Sequence, residues 1–208
     1  MSVIMRRHGS INVDLDALSA DLRWSASLPS RSSPQAALCD LIQSQRARRS
    51  DQDRLAVAQG LRDVFLEHFL EPARSRRAGC VAVYESDWGD PATQLLRAAL
   101  AARPITTLIS RQSARGDVAW ILDPQRGQDA PRSQGKLPRP APLDEVEIAL
   151  IPALAVDTVG NRLAPPMDGY RHLLHQLPHN TQVLAAVHDD EIYDAALGPL
   201  PIGPDGGI

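Results

Sequence analysis

The chain has few aromatic residues, few cysteines, no long apolar run and no excess of charge of one sign, and each shortage removes a class of protein. Aromatics make up 4% of the 208 residues, so a core has to be assembled mainly from Leu, Ala, Val and Ile. Cys39 and Cys80 are too few and too far apart for a disulfide framework or a zinc site, which suits a reducing cytosol and predicts a cytoplasmic protein. No stretch approaches the roughly 20 apolar residues of a membrane helix. The charged opening MRRHGS is followed by INVDLDALSADL, where Asp14, Asp16 and Asp21 interrupt what would have to be a signal-peptide core. Lys and Arg total 22 against 25 Asp and Glu, a formal net charge of -3, so no basic field suits nucleic acid and no acidic tail argues for disorder. What remains is a soluble protein, monomer or homodimer, with a small-molecule partner.

What is present is a chain 43% hydrophobic and long enough to bury a sizeable core. Residues 1–33 read as an N-terminal extension, with an amphipathic segment carrying Val13, Leu15, Leu18, Leu22 and Trp24 before the Ser/Pro cluster SASLPSRSSP. Residues 34–208 read as one domain. Pro34 suits the first turn of a helix, in which Ala37, Leu38, Leu41 and Ile42 recur at helical spacing. Ser50 followed by Asp51, Gln52 and Asp53 starts a second, striped by Leu55, Val57, Leu61, Val64, Phe65 and Phe69. From Gly79 the pattern alternates: strand CVAVYES, loop WGDPAT, helix QLLRAALAA, then strands PITTLISR and VAWIL. Asp123 to Leu143 reads as a long surface loop. EIALIPAL is an unbroken apolar run, as in a central strand buried on both faces. A loop and helix follow up to Leu177, and Gln182–Val187 is the last clear strand. The fold class expected is α/β, a mostly parallel sheet flanked by helices in a Rossmann-like three-layer arrangement.

In such sheets ligands gather beyond the carboxyl ends of the strands, which singles out the loops Glu85–Thr93, Ser110–Asp117 and Asp157–Tyr170. Arg162 suits a bidentate clamp on phosphate or an ion pair with Asp157. Asp168 with Gly169 either opens a free amide nest or simply caps a helix. Asp90 either accepts hydrogen bonds from an amino-substituted ring or caps the helix beginning near Pro91. His172, His175 and His179 share one helix at spacings of three and four, but no HExxH-type carboxylate accompanies them, and the metal ligands, if any, stay unknown. Arg46, Arg48, Arg49 and Arg54 read as a solvated face, and His188, Asp189, Asp190 and Glu191 as a cation-holding strand end or a turn capped by acids.

The segment LIPALAVDTVGNRL resembles the hallmark of the 5-formyltetrahydrofolate cyclo-ligase family, the methenyltetrahydrofolate synthetases, which reads L-V-P-x-L-A-F/V-D-x-x-G-x-R-L-G-x-G-G-G-Y-Y-D-R. CVAVYESDWGDPATQLLRAAL, VLAAVHDDEIYDAAL and LPIGPD resemble further segments of that family in the same order, from about Pro34 onward. The resemblance implies an α/β fold, ATP with Mg2+, and a reduced folate formylated on N5. The formyl oxygen is phosphorylated, N10 attacks, and phosphate leaves as 5,10-methenyltetrahydrofolate closes. Carried onto this chain it assigns Arg162, Asp168, Gly169 and Tyr170 to the cofactor, Asp90 and Tyr170 to the folate-like substrate, and Arg162 and Tyr170 to catalysis.

The departures are as specific as the likeness. Ala164, Pro165, Pro166, Met167 and Asp168 replace the glycine-rich loop, and proline lacks both the N–H and the backbone freedom of a phosphate cradle. Arg171 stands where the family carries an Asp expected to ligate magnesium, and Gln35 and Cys39 where it carries a Lys and an Arg that contact ATP. Two functions follow as expectations: an ATP-dependent cyclo-ligase, or a diverged paralogue without this ATP chemistry that binds, regulates or converts another small molecule in the same cleft.

Overall fold

The computed structural model describes residues 2–6, 34–74, 79–87, 89–112, 118–124, 141, 143–157, 161–164 and 170–193. The expected amphipathic segment at Val13–Trp24, most of the loop after Asp123, Gly160, and positions 165–169 with Asp168 and Gly169 lie outside them.

Helix α1 (Pro34–Ala47) is followed by α2 (Asp51–Val64). The start of α2 is a capping box: the Ser50 hydroxyl accepts from the Asp53 amide, and the Asp53 carboxylate accepts from the Ser50 amide. Past Val64 the helix continues through a π-helical turn, Phe65–Leu70, and ends with Glu71–Arg74. The apolar stripe places Val57, Leu61 and Phe65 in the core, whereas Leu55 of α2 and Leu41 of α1 stay half exposed.

The main sheet has six strands in the order β1-β8-β5-β2-β3-β4. Its centre is β8 (Gln182–His188), β5 (Val146–Pro152), β2 (Cys80–Tyr84) and β3 (Thr106–Gln112), all parallel. As the unbroken apolar run of EIALIPAL predicts, β5 lies in the middle; β2 lies beside it with every residue buried. The edges run the other way: β4 (Val118–Leu122) is antiparallel to β3, and β1 (Ser2–Arg6) is antiparallel to β8. Ser2–Arg6 of the expected extension are thus part of the sheet, which sequence patterning did not signal.

Helices cover both faces. Leu61, Phe65 and Leu70 of the α2 region, with Leu96 and Leu100 of α3 (Gln94–Ala101), pack on Val81, Val83, Ile148 and Leu150. On the other face Leu173 and Leu177, from α4 (Tyr170–His175) and just beyond it, pack with Cys80, Ala82, Leu108, Trp120 and Ala149. The fold is therefore the expected three-layer α/β arrangement with a mostly parallel sheet. A second, three-stranded sheet was not read from the sequence: β6 (Ala155–Asp157) pairs with β7 (Arg162–Leu163) and with β9 (Ile192–Tyr193), and α1 packs on it through Cys39 and Ile42. Strands of two or three residues carry too little periodicity to be recognised locally.

Candidate functional site

Polar side chains collect at the carboxyl edge of the parallel strands, where each chain leaves the sheet. They form two groups. The first is centred on Arg46, whose side chain, 3% exposed, reaches three segments outside its own helix. Its Nε and Nη2 donate to the two Glu191 oxygens at 2.7 Å, its Nη1 donates to Asp90 Oδ1 at 2.8 Å, and Nη2 also reaches the carbonyls of Ala153 at 2.6 Å and Leu154 at 3.4 Å. Gly89 adjoins it with φ +97°, a backbone conformation that favours glycine.

These contacts correct two sequence readings and bear out a third. Arg46 belongs to no solvated face; a buried guanidinium is tolerable only because two carboxylates and two carbonyls surround it. Asp90 caps no helix, since the N-cap of α3 is Thr93; besides Arg46, its carboxylate accepts from the Asp87 amide. His188 and Glu191 form the expected acid-capped turn, a 3-10 turn at Asp189–Glu191 in which the Glu191 carboxylate accepts from the His188 amide at 2.8 Å. Burial opposes the charge of Arg46, yet the Glu191 hydrogen bonds and the charges of Glu191 and Asp90 outweigh it and raise its pKa. Burial raises the Asp90 carboxyl above its ordinary range although Arg46 pulls it down. Burial also lowers His188 below the ordinary histidine value, and its Nε2 lies 3.3 Å from the Gly89 carbonyl. A cavity of about 250 Å³ beside this group, lined by Arg49, Asp53, His188, Asp189 and Asp190, includes the strand-end acids singled out by sequence but none of Asp90, Arg162 and Tyr170.

The second group surrounds Tyr170 at the start of α4. The Tyr170 hydroxyl lies 2.5 Å from Ser110 Oγ, its ring meets Trp120 edge-on with centroids 6.3 Å apart, and the Arg162 guanidinium stands 5.8 Å from its centroid. Arg162 Nε also donates to the Pro152 carbonyl at 2.8 Å, which ties β7 to the end of β5. Ser110 Oγ accepts from the Glu85 amide at 3.1 Å. The Glu85 carboxylate takes loose hydrogen bonds from Arg111 at 3.3 and 3.4 Å, and both side chains remain about a third exposed. Beside it Arg97 grips Asp123 with two bonds of 2.8 Å in the interior. Trp120 Nε1 is buried and has no partner among the described residues.

The structure therefore brings Arg162 and Tyr170 together, keeps Asp90 with Arg46, and leaves Asp168 and Gly169 undescribed. Sequence reasoning missed Ser110, Trp120, Glu85 and Arg111 as side chains, although two of the three loops it singled out contain Glu85, Ser110 and Arg111.

Among the described residues no carboxylates are arranged as a magnesium site, and positions 165–169, which replace the glycine-rich loop, lie outside them. Magnesium on a nucleotide is usually held by one or two carboxylates together with the phosphates. Along this edge Asp90 and Glu191 are engaged by Arg46, Asp123 by Arg97, Glu85 by Arg111, and Asp157 by the Asn161 amide and side chain at 2.7 Å. No group of three His, Cys, Asp or Glu among the described residues is arranged to hold a metal ion, and His175 and His179 are exposed. None of the described helices is long and apolar enough to cross a membrane.

No family model matches the chain. A 5-formyltetrahydrofolate cyclo-ligase of Mycolicibacterium smegmatis is 42% identical to it over 52 residues, which make up 25% of this chain and 27% of that protein, so the match spans about a quarter of the relative's length. Among solved structures, the NMR structure of Aquifex aeolicus 5,10-methenyltetrahydrofolate synthetase superposes with a TM-score of 0.62 at 13% identity, covering 81% of this chain and 88% of that one. The 5,10-methenyltetrahydrofolate synthetase of Mycoplasma pneumoniae gives a TM-score of 0.53 at 14% identity, covering 72% and 82%. At such identities these two likenesses are of fold. Together with the short sequence match they bear out the family resemblance read from the sequence.

Proposed function

We propose that this chain, a 5-formyltetrahydrofolate cyclo-ligase-like protein in sequence and fold, holds a reduced folate or a similarly flat, amino-substituted small molecule beside Tyr170. The observation that carries this reading is the convergence of Tyr170, Trp120, Arg162, Ser110, Glu85 and Arg111 at the carboxyl edge of the sheet. The partly exposed ring of Tyr170, backed by the buried Trp120, supplies a surface for a flat heterocycle. Glu85, only loosely held, accepts hydrogen bonds from ring N–H groups, and Arg111 is then released to a carboxylate on the same ligand. Arg162 supplies positive charge toward a formyl or carboxylate oxygen. Asp90, assigned to the substrate by resemblance, serves in this reading as the counter-ion of Arg46.

The test is to mix the protein with 5-formyltetrahydrofolate and Mg-ATP and follow methenyl formation by absorbance. Turnover that disappears in Arg162→Ala supports a cyclo-ligase, the activity that the names of the similar proteins suggest. Binding of 5-formyltetrahydrofolate without turnover supports a second reading, a diverged paralogue that keeps the cleft without the ATP chemistry. That second reading is favoured by the neutralised carboxylates, by Pro165 and Pro166, and by Arg171 in place of an acid. It predicts weak or absent Mg-ATP binding, and calorimetric titration with micromolar affinity would overturn it. Absence of both folate binding and turnover would reject the folate assignment.

A further inference from the structure

Ser110 was not among the residues singled out by sequence, and its place in the fold is unusual for a small hydroxyl. It lies on β3 between Tyr84 of β2 and Trp120 of β4, 2% exposed, in a strand whose neighbours Leu108 and Ile109 are wholly apolar. A buried serine costs free energy unless its hydroxyl is satisfied. Here one oxygen meets two partners from different elements: the Glu85 amide at 3.1 Å, from the chain leaving β2, and the Tyr170 hydroxyl at 2.5 Å, from the first turn of α4. Because the amide must donate, the serine lone pair receives it, and the remaining serine proton or lone pair serves the phenol. The ring of Tyr170 is held at the same time by the Trp120 edge and by Arg162.

We infer that Ser110 is a positioning residue for the cleft, fixing the Tyr170 ring and the backbone at Glu85 in one register so that a flat ligand meets a preset aromatic surface and a preset carboxylate. The inference deepens the proposed function and rests on it for the identity of the ligand. A hydroxyl at this strand position ties together two segments 25 and 60 residues away in the chain. Alanine would keep the strand and its packing while removing both bonds. The Tyr170 ring would then lose its hydroxyl anchor while keeping its contacts to Trp120 and Arg162, and part of its ordering would have to be supplied when ligand binds.

The experiment is a double-mutant cycle of Ser110→Ala, Tyr170→Phe and the pair, read in two ways. The first readout uses full-length protein labelled with 3-fluorotyrosine. The chain contains only three tyrosines, so the Tyr170 fluorine signal is identified by its loss in Tyr170→Phe. Ser110→Ala is expected to shift the Tyr170 signal while the signal of Tyr193, in the other sheet, stays in place; Tyr84, the cross-strand neighbour of Ser110, is not used as a control. An unchanged Tyr170 signal overturns the inference, as does a shift of Tyr193 with it, which would show general loosening. The second readout is the dissociation constant for 5-formyltetrahydrofolate. Each single variant is expected to weaken binding about five-fold, the usual worth of one net hydrogen bond, and the pair by clearly less than the product of the two single losses. Independent, multiplying losses overturn the inference. If the unmutated protein does not bind 5-formyltetrahydrofolate, the functional reading fails while the fluorine spectrum still decides the role of Ser110.

Discussion

The two polar groups at the carboxyl edge are built from the same materials, arginine against carboxylate, yet they differ in depth and tightness. Around Arg46 the bonds to carboxylate are 2.7 to 2.8 Å and the guanidinium is 3% exposed. Around Tyr170 the Glu85 and Arg111 pair spans 3.3 to 3.4 Å and stays about a third exposed. The first joins α1, the β2–α3 loop, the β5–β6 turn and the turn after β8, so its ionic bonds are answered only within the protein. The second retains charges that water already reaches and that a ligand can take over at little cost. The lesson is that an Arg and carboxylate at a strand end identify a binding site only when they are held loosely. In a sealed cluster the same residues serve the fold.

The largest effect that would separate the groups is on stability. Arg46→Ala leaves the buried Glu191 and the partly buried Asp90 without their cation and is expected to cost about 3–5 kcal/mol, read from the urea midpoint. Arg111→Ala should cost no more than about 1 kcal/mol, as for other partly exposed pairs, while weakening ligand binding. Equal losses in the two variants would erase the distinction.

Next in size is the response to acid. The folded-state pKa of His188 is depressed by burial, so between its ordinary value and that lower one the unfolded chain binds more protons than the folded one. The contribution of His188 is therefore present above the ordinary histidine value and lost as pH falls through the depressed one. Asp90 has the opposite sign: its raised carboxyl pKa gives a contribution present at low pH and lost as pH rises through the raised value. His188→Gln is expected to flatten the fall in melting temperature on acidification below the histidine range, and an unchanged slope would show that this imidazole is not held neutral. The smallest effect expected is chemical. Burial, with Glu145 and Glu147 nearby, pushes the Cys80 thiol up to about 11, and burial raises Cys39 as well. Neither should be alkylated by iodoacetamide at pH 8 until the chain is unfolded. Rapid labelling of the folded protein would mean that the shared apolar floor of both groups opens readily.

What the sequence determined by itself is what depends on near neighbours. The apolar run in EIALIPAL specifies a strand buried on both faces, CVAVY specifies a strand, and Ser50 with Asp53 specifies a helix start, because strand and helix periods and capping bonds act within a few residues. The family resemblance lies in the same kind of local pattern, and so does the pairing of Arg162 and Tyr170 across one loop. Only the tertiary structure decided which charges are sealed. Arg46 meets Asp90 across 44 positions and Glu191 across 145, and Ser110 meets Tyr170 across 60. No local pattern records such partners, since an arginine on a helix has the same spacing whether it faces water or two carboxylates. The antiparallel edges were equally invisible, because strand direction is set by pairing and not by composition. Solvation of a charge is a property of its surroundings in space, and folding alone supplies them.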